Sequence, residues 1–325
     1  MEPLRIGTLG AARITPPALV RPAAHRSDAV VVAVAARDRA RAQRFAARHG
    51  IPAVHDSYQA LLDDPTVEAV YNPLPNGLHG RWTIAALEAG KHVLCEKPFT
   101  ANAADAEAVA EAAARSGTVV MEAFHYRYHP LFQRVLELTG TLGRLHDVRA
   151  RMIAIVPKKT DIRYQLDLAG GATMDVGCYA IHQIRDVVGA EPTVTAAAAK
   201  LASPGIDRAM HASFTFGDGP SASMECALFE ARAPIADVRM TGDRGTVHVY
   251  FPTRPELAWI STRIDGRRSR ERVRGEPTFS YQLQAFCDAV LRGTSIPTGP
   301  TDSVATMRVI DAVYTAAGLS PRPSG

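Results

Sequence analysis

A chain of 325 residues, 46% hydrophobic and 22% charged, has the make-up of a globular protein with room for two cores, since single cores rarely grow past about 250 to 300 residues. A net charge of +4 with only 6% aromatics argues against a nucleic-acid binder, which needs a basic stripe interleaved with stacking rings. No apolar run approaches the roughly 18 residues that span a bilayer, and no basic-then-apolar leader precedes the first strand, so neither a membrane nor an export address is expected.

Leu4 to Leu9 reads as a first strand, followed by Gly10-Ala11-Ala12-Arg13-Ile14-Thr15 and an alanine-rich helical segment. Strand, small-residue turn and helix is the dinucleotide-binding arrangement, although Ala12 and Thr15 replace two of the usual glycines. Gly10, Ala11, Ala12, Arg13 and Ile14 are therefore candidate cofactor residues. The second strand, Ala29 to Ala35, ends at Arg37-Asp38. Arginine here suits the 2′-phosphate of NADP, whereas an acid binds the free ribose of NAD; Asp38 either plays that part or caps the helix Arg39 to His49. NADP is expected ahead of NAD.

A third strand, Val67 to Tyr71, runs into Asn72-Pro73-Leu74-Pro75-Asn76-Gly77-Leu78-His79, where two prolines and a glycine stop the ladder. Leu74, Asn76 and His79 are cofactor candidates on that loop, followed by a helix from Gly80 to Ala89. Val93-Leu94-Cys95 is a buried strand ended by Glu96-Lys97-Pro98, which puts both charges at a strand's carboxyl end, where ligands bind in open α/β sheets. Lysine occurs only at 91, 97, 158, 159 and 200, so Lys97 stands out against an arginine-rich surface. Glu96 and Lys97 join the candidates. A helix from Ala101 to Ser116 and a strand from Val119 to Ala123 follow.

Gly10-Ala11-Ala12-Arg13-Ile14, Pro75-Asn76-x-x-His79, the block from Ala89 to Pro98 and the block Glu122-Ala123-Phe124-His125-Tyr126-Arg127-Tyr128-His129-Pro130 together resemble the Gfo/Idh/MocA oxidoreductases over essentially the whole chain. The resemblance implies an NAD(P)-binding Rossmann domain over residues 1–123. It also implies a substrate-binding and oligomerisation α+β domain over 124–325, with a large, mostly antiparallel open sheet and carboxyl-terminal helices packed back on the first domain. Arg127, in the last block, becomes a candidate substrate residue.

Beyond the turn Gly140-Thr141-Leu142-Gly143, strands are expected at 147–156, 194–201, 208–216, 221–229, 236–241 and 245–251. Arg267, Arg268, Arg270, Arg272 and Arg274 follow the hairpin signal Asp265-Gly266 and read as solvated. The segment from Gly170 to His182 departs from the sheet pattern. As a helix it places Asp175, Tyr179, His182 and Asp186 at i, i+4, i+7 and i+11 on one face, either a solvated stripe or a site. It resembles the family's G-G-x-x-x-D-x-G-x-[HY] helix, which implies Asp175 and Tyr179 as catalytic. Tyrosine matches the glucose–fructose oxidoreductase, xylose-type aldose dehydrogenase and dihydrodiol dehydrogenase branch.

Two further helices are expected, one from Phe279 and one from Ser303 to Ala317; Tyr281 either reaches the nicotinamide or only packs. Lys158, Arg163 and Tyr164, just before Gly170, are candidate substrate contacts. Cys95, Cys178, Cys226 and Cys287 show no CxxC spacing and no zinc-type cluster, so reduced thiols in the cytoplasm and no metal are expected. The chemistry implied is hydride transfer between NADP and a secondary alcohol or hemiacetal carbon of a sugar or polyol. Lys97 would steady the oxyanion, Tyr179 exchange the proton, Asp175 orient and His182 relay to water. A nucleotide-linked ketosugar reductase, a trans-dihydrodiol dehydrogenase and a non-catalytic NADP sensor are the rivals. A homodimer or homotetramer through the open sheet face is expected.

Overall fold

The computed structural model describes residues 2–230 and 233–325. The chain divides into two compact units, one of Met1–Phe124, Phe279–Val304 and Gly325, the other of His125–Thr278 and Ala305–Ser324.

The first unit alternates strands and helices. In order they are β1 (Leu4–Leu9), α1 (Arg21–Ala24), β2 (Ala29–Ala35), α2 (Arg39–His49), β3 (Ala53–His55), α3 (Tyr58–Leu62), β4 (Ala69–Asn72), α4 (Asn76–Glu88), β5 (His92–Cys95), α5 (Ala103–Ser116) and β6 (Val120–Glu122). A π turn at Pro16–Val20 leads into α1. The sheet is parallel throughout, in the order β3-β2-β1-β4-β5-β6, so the winding reverses between β1 and β4. Successive residues of β4 (Ala69, Val70, Tyr71 and Asn72) are all fully buried, which requires cover on both faces and explains the unbroken apolar runs. Asn102 and Ser57 cap α5 and α3 through side-chain oxygens. The short β3, with no strong apolar run of its own, is absent from the sequence expectation.

The second unit contains α6 (Pro130–Gly140), β7 (Leu145–Ile153), α7 (Cys178–Val188), β8 (Thr193–Ser203), β9 (Ile206–Thr215), β10 (Ser221–Ala227), β11 (Ile235–Gly242), β12 (Gly245–Tyr250), β13 (Trp259–Ile264) and β14 (Arg267–Glu271). Its eight strands run β14-β13-β12-β11-β7-β10-β9-β8. All neighbours pair antiparallel except β7 and β10, which are parallel. Alternation along β7 buries Val148, Ala150 and Met152 and exposes Arg149 and Arg151, and α7 packs on the β7 and β10 strands. Gly177 permits that approach, because a Cβ there would stand 2.9 Å from Cys226 Sγ.

Helices α8 (Thr278–Arg292) and α9 (Pro300–Ala316) close the chain's element order. Residues 279–304 return to cluster with the first unit, while Ala305–Ser324, most of α9, clusters with the second. Thr298 explains the return, accepting from Glu122 N at 2.9 Å through its carbonyl and donating its hydroxyl to Glu122 O at 2.7 Å.

Candidate functional site

The carboxyl ends of β1, β2, β4 and β5 gather the first set of candidates. Gly10 adopts φ +96°, and a Cβ there would come within 3.3 Å of Leu74, so the turn that follows β1 needs glycine. Ala11 is buried, Ala12 and Ile14 half-buried and Arg13 exposed. At the end of β2, Arg37 is exposed, whereas Asp38 accepts from Arg41 N at 3.1 Å and is the cap of α2. Of the two parts open to Asp38, the structure selects the cap.

Arg41 escaped the sequence reading. One turn after Arg37, it donates Nη2 to Ala11 O at 2.7 Å and so ties α2 to the turn after β1; Arg37 and Arg41 both bring positive charge to the Tyr58 hydroxyl. Their i, i+4 spacing on a helix start was the available signal. A dinucleotide with an additional phosphate fits this edge: a turn without a Cβ for close approach, beside two guanidinium groups.

Asn72 carries the architecture of the next strand end, donating to His79 O at 3.2 Å and Thr83 Oγ1 at 3.1 Å. Asn76 is the first residue of α4 and half-buried. The loop expected through His79 therefore stops at Pro75, and His79 lies within the first turns of α4, 1% exposed. Its Nδ1 lies 2.8 Å from Pro98 O and its Nε2 2.7 Å from Leu74 O. Burial, reinforced by the charge of Lys97, pushes the imidazole down to about 4, so the ring is neutral. A neutral ring carries one N–H and so donates to one of the two carbonyls that enclose it, Leu74 O or Pro98 O, which corrects the placing of His79 on an open loop. Glu96 is likewise committed: it is buried and accepts from the Tyr71 hydroxyl at 2.6 Å. Lys97 is half-buried and precedes a cis peptide bond to Pro98. Tyr281 is half-buried on α8.

The second set lies along α7. Its entry is a π turn, Thr173–Gly177, which carries Asp175. Arg163 Nε donates to Asp175 Oδ2 at 2.7 Å, while its Nη1 and backbone N–H reach Asp161 Oδ1 at 3.0 and 3.1 Å. The charge of Asp175 is the main cause that holds Arg163 above its ordinary value. Tyr179 is 9% exposed, its ring centre 5.9 Å from that of His125 and 6.0 Å from that of Tyr126. His125 is in turn fixed by Thr278 Oγ1 at 2.8 Å.

The face of α7 is not a solvated stripe. His182 is 1% exposed, its Nδ1 2.5 Å from the Tyr126 hydroxyl and 3.3 Å from Asp186 Oδ2. Exchange with water, expected of His182, does not suit that burial; the ring joins Tyr126 to Asp186. Arg127 is also corrected. Its Nε pairs with Asp186 Oδ2 at 2.9 Å and its guanidinium lies 5.4 Å over the Phe132 ring, so the side chain is engaged with α7 and α6. Tyr126 belongs to the His125-Tyr126-Arg127 block but no role was assigned to it from sequence. Lys158 is exposed, and Tyr164 donates to Val156 O at 2.8 Å with burial pushing its phenol up. Among the described residues no group of three or more His, Cys, Asp or Glu side chains is placed to hold a metal.

A family model described as "Oxidoreductase family, NAD-binding Rossmann fold" matches residues 4–124, and the GFO/IDH/MocA C-terminal domain matches 133–248. A D-xylose 1-dehydrogenase (NADP(+)) 2 of Haloferax volcanii is 38% identical over 319 residues, 97% of each chain. A trans-1,2-dihydrobenzene-1,2-diol dehydrogenase of Sus scrofa is 35% identical over 246 residues, 74% of this chain and 70% of that one. Among solved structures, KijD10, a 3-ketoreductase from Actinomadura kijaniata in complex with NADP and TDP-benzene, matches with a TM-score of 0.90 at 29% identity, covering 97% of this chain and 98% of that one. With both halves matched and a relative of this identity along nearly its full length, the chain belongs to the Gfo/Idh/MocA family of oxidoreductases.

Proposed function

We propose that the protein is an NADP-dependent oxidoreductase that moves a hydride between nicotinamide and the carbinol carbon of a sugar or polyol, in the manner of an aldose 1-dehydrogenase. The observation that carries this is Lys97 at the carboxyl end of β5, on the edge where the winding reverses between β1 and β4 and where Gly10, Arg37 and Arg41 suit NADP. The xylose dehydrogenase and the ketoreductase named above, an NADP enzyme and an enzyme solved with NADP, support the same cofactor.

Bound NADP supplies the hydride acceptor, and its cationic ring favours a nearby phenolate. The carbinol carbon gives up its hydride only as its hydroxyl loses a proton, so one group must steady the developing oxyanion and another must take the proton. Lys97 serves the first need by its ammonium. Tyr179 serves the second, with Asp175 held to Arg163 and setting the entry of α7. Free phenol and ammonium both titrate near ~10, so the ammonium is already charged at neutral pH whereas the phenol must be assisted to take a proton there.

A second reading, reduction of a nucleotide-linked ketosugar, is favoured by the exposed Lys158 and Lys159 ahead of Arg163, which suit a phosphate. The four cysteines are buried and form no disulfide, in keeping with a reducing cytoplasm, and no described helix is long and apolar enough to cross a membrane. The open face of the eight-stranded sheet is where we place a homodimer or homotetramer contact, checked by light scattering. The function is tested by following NADPH formation across free aldoses, inositols, trans-dihydrodiols and a TDP-linked sugar, with NAD in parallel and Lys97→Ala as control. Turnover of an aldose with NADP that disappears in the control supports the proposal. NADPH bound tightly without turnover of any of them points to a sensor instead.

A further inference from the structure

The entry of the α7 segment is held by residues distant in sequence. Thr173 donates both its backbone N–H and its hydroxyl to Asp207 Oδ2 on β9, each at 2.7 Å. Asp207 Oδ1 accepts from the Tyr314 hydroxyl of α9 at 3.1 Å and from Arg322 Nη2 at 2.5 Å. Arg322, beyond α9, is 2% exposed; it donates Nε to Gly170 O at 2.8 Å and Nη1 to Gly205 O at 2.7 Å, and its guanidinium lies 3.9 Å from the Tyr314 ring centre.

The glycines are cut to this arrangement. Gly171 has φ +130°, and a Cβ there would stand 2.1 Å from Asp207 Oδ1 and 2.8 Å from Arg322 Nη2. Gly171 N also donates to Arg163 O at 2.8 Å, so the residue that partners Asp175 is anchored at the same point. A buried ion pair is a poor source of stability, because desolvation of both charges offsets most of their attraction. What a planar guanidinium with its donors engaged does supply is direction: Gly170 and Asp207 are held at fixed angles to one another.

We infer that the Arg322–Asp207 pair is a positioning device of the active site, setting through Thr173, Gly170 and Gly171 where Asp175, Tyr179 and Arg163 stand. The inference rests on the reading of Tyr179 as the acid/base given above. Displacing a reacting group by about 1 Å costs on the order of 10²-fold in rate, so the effect belongs in kcat.

The test uses Arg322→Ala and Arg322→Lys in the full chain. In Arg322→Ala, kcat for sugar oxidation with NADP falls roughly 10- to 100-fold. KM for NADP stays at the wild-type value, and guanidinium ion added in solution restores part of kcat; Arg322→Lys loses less and does not respond to guanidinium. A folded Arg322→Ala protein with wild-type kcat, or one whose kcat guanidinium leaves unmoved, overturns the inference. If the alanine variant does not fold, the lysine variant carries the same kcat and KM readings. Amide exchange over residues 173–179, read by mass spectrometry in the same proteins, separates this inference from the function on which it rests. A wild-type protein inert to every sugar overturns that function alone; the positioning role then stands on faster exchange confined to 173–179 and falls if exchange there equals wild type.

Discussion

His79 ties the candidate cofactor edge to a measurable pH dependence. The unfolded chain protonates this imidazole near 6.5, whereas in the folded protein burial holds it to about 4. Between those values unfolding takes up a proton, so stability is complete above pH 6.5 and is lost as pH falls towards 4. The separation of these two values corresponds to about 3 kcal/mol at most, from 1.36 kcal/mol per unit. Burial also depresses His49, His92 and His129, so the whole protein loses stability in the same direction and the total slope does not isolate one ring.

His79→Gln does isolate it, since glutamine donates to one carbonyl but does not titrate. Urea unfolding is followed at pH values from 4.5 to 7 by the fluorescence of Trp82, one turn along α4, in a Trp259→Phe background so that the signal comes from the first unit. Whatever the absolute loss in His79→Gln, its slope of unfolding free energy against pH should be shallower than the parent's by about 1 kcal/mol per unit between pH 5 and 6. Equal slopes in the two proteins refute a neutral, buried His79 between the Leu74 and Pro98 carbonyls.

Arg37→Ala and Arg41→Ala should each weaken NADP binding about tenfold while leaving NAD binding within about twofold, as read by calorimetry, because exposed guanidinium–phosphate contacts lie at the low end of charged hydrogen bonds. Gly171→Ala places a methyl group 2.1 Å from Asp207 Oδ1 and should destabilise the second unit by about 3 kcal/mol or more, seen as a lower urea midpoint for Trp259 emission. Tyr179→Phe keeps the ring packing against His125 and Tyr126 and should lower kcat about 10²-fold or more with the urea midpoint nearly unchanged; an unaltered kcat removes Tyr179 from the acid/base role.

Where one element decided its own conformation, the sequence was legible. The span of α2 from Arg39 to His49 and the first two strands stand as expected, because an aspartate cap and Gly50 in the left-handed region fix the helix, and Gly10 after β1 and the valine run of β2 mark the strands locally. The strand ends also placed Lys97 just past the carboxyl end of β5. Partners supplied by distant chain were not legible. Nothing local to His79 announces that two carbonyls will enclose it, and the helical spacing of Asp175, Tyr179, His182 and Asp186 does not say that Tyr126 and Arg127 cover the last two. The parallel β7–β10 pair is likewise set by long-range pairing, which no periodicity within a strand or helix records. Arg322, in a stretch of prolines and serines without periodic pattern, gave no sign of burial.

The central claim is that a hydride passes directly between a sugar carbon and NADP on this protein. Incubation with NADP and aldoses deuterated at the first carbon, with the reduced cofactor then weighed by mass spectrometry, tests it most directly. The account predicts NADPH heavier by a single deuterium with the wild-type protein and no labelled cofactor with Lys97→Ala. NADPH that forms without the label, or none from any aldose while a TDP-linked ketosugar is reduced, contradicts it.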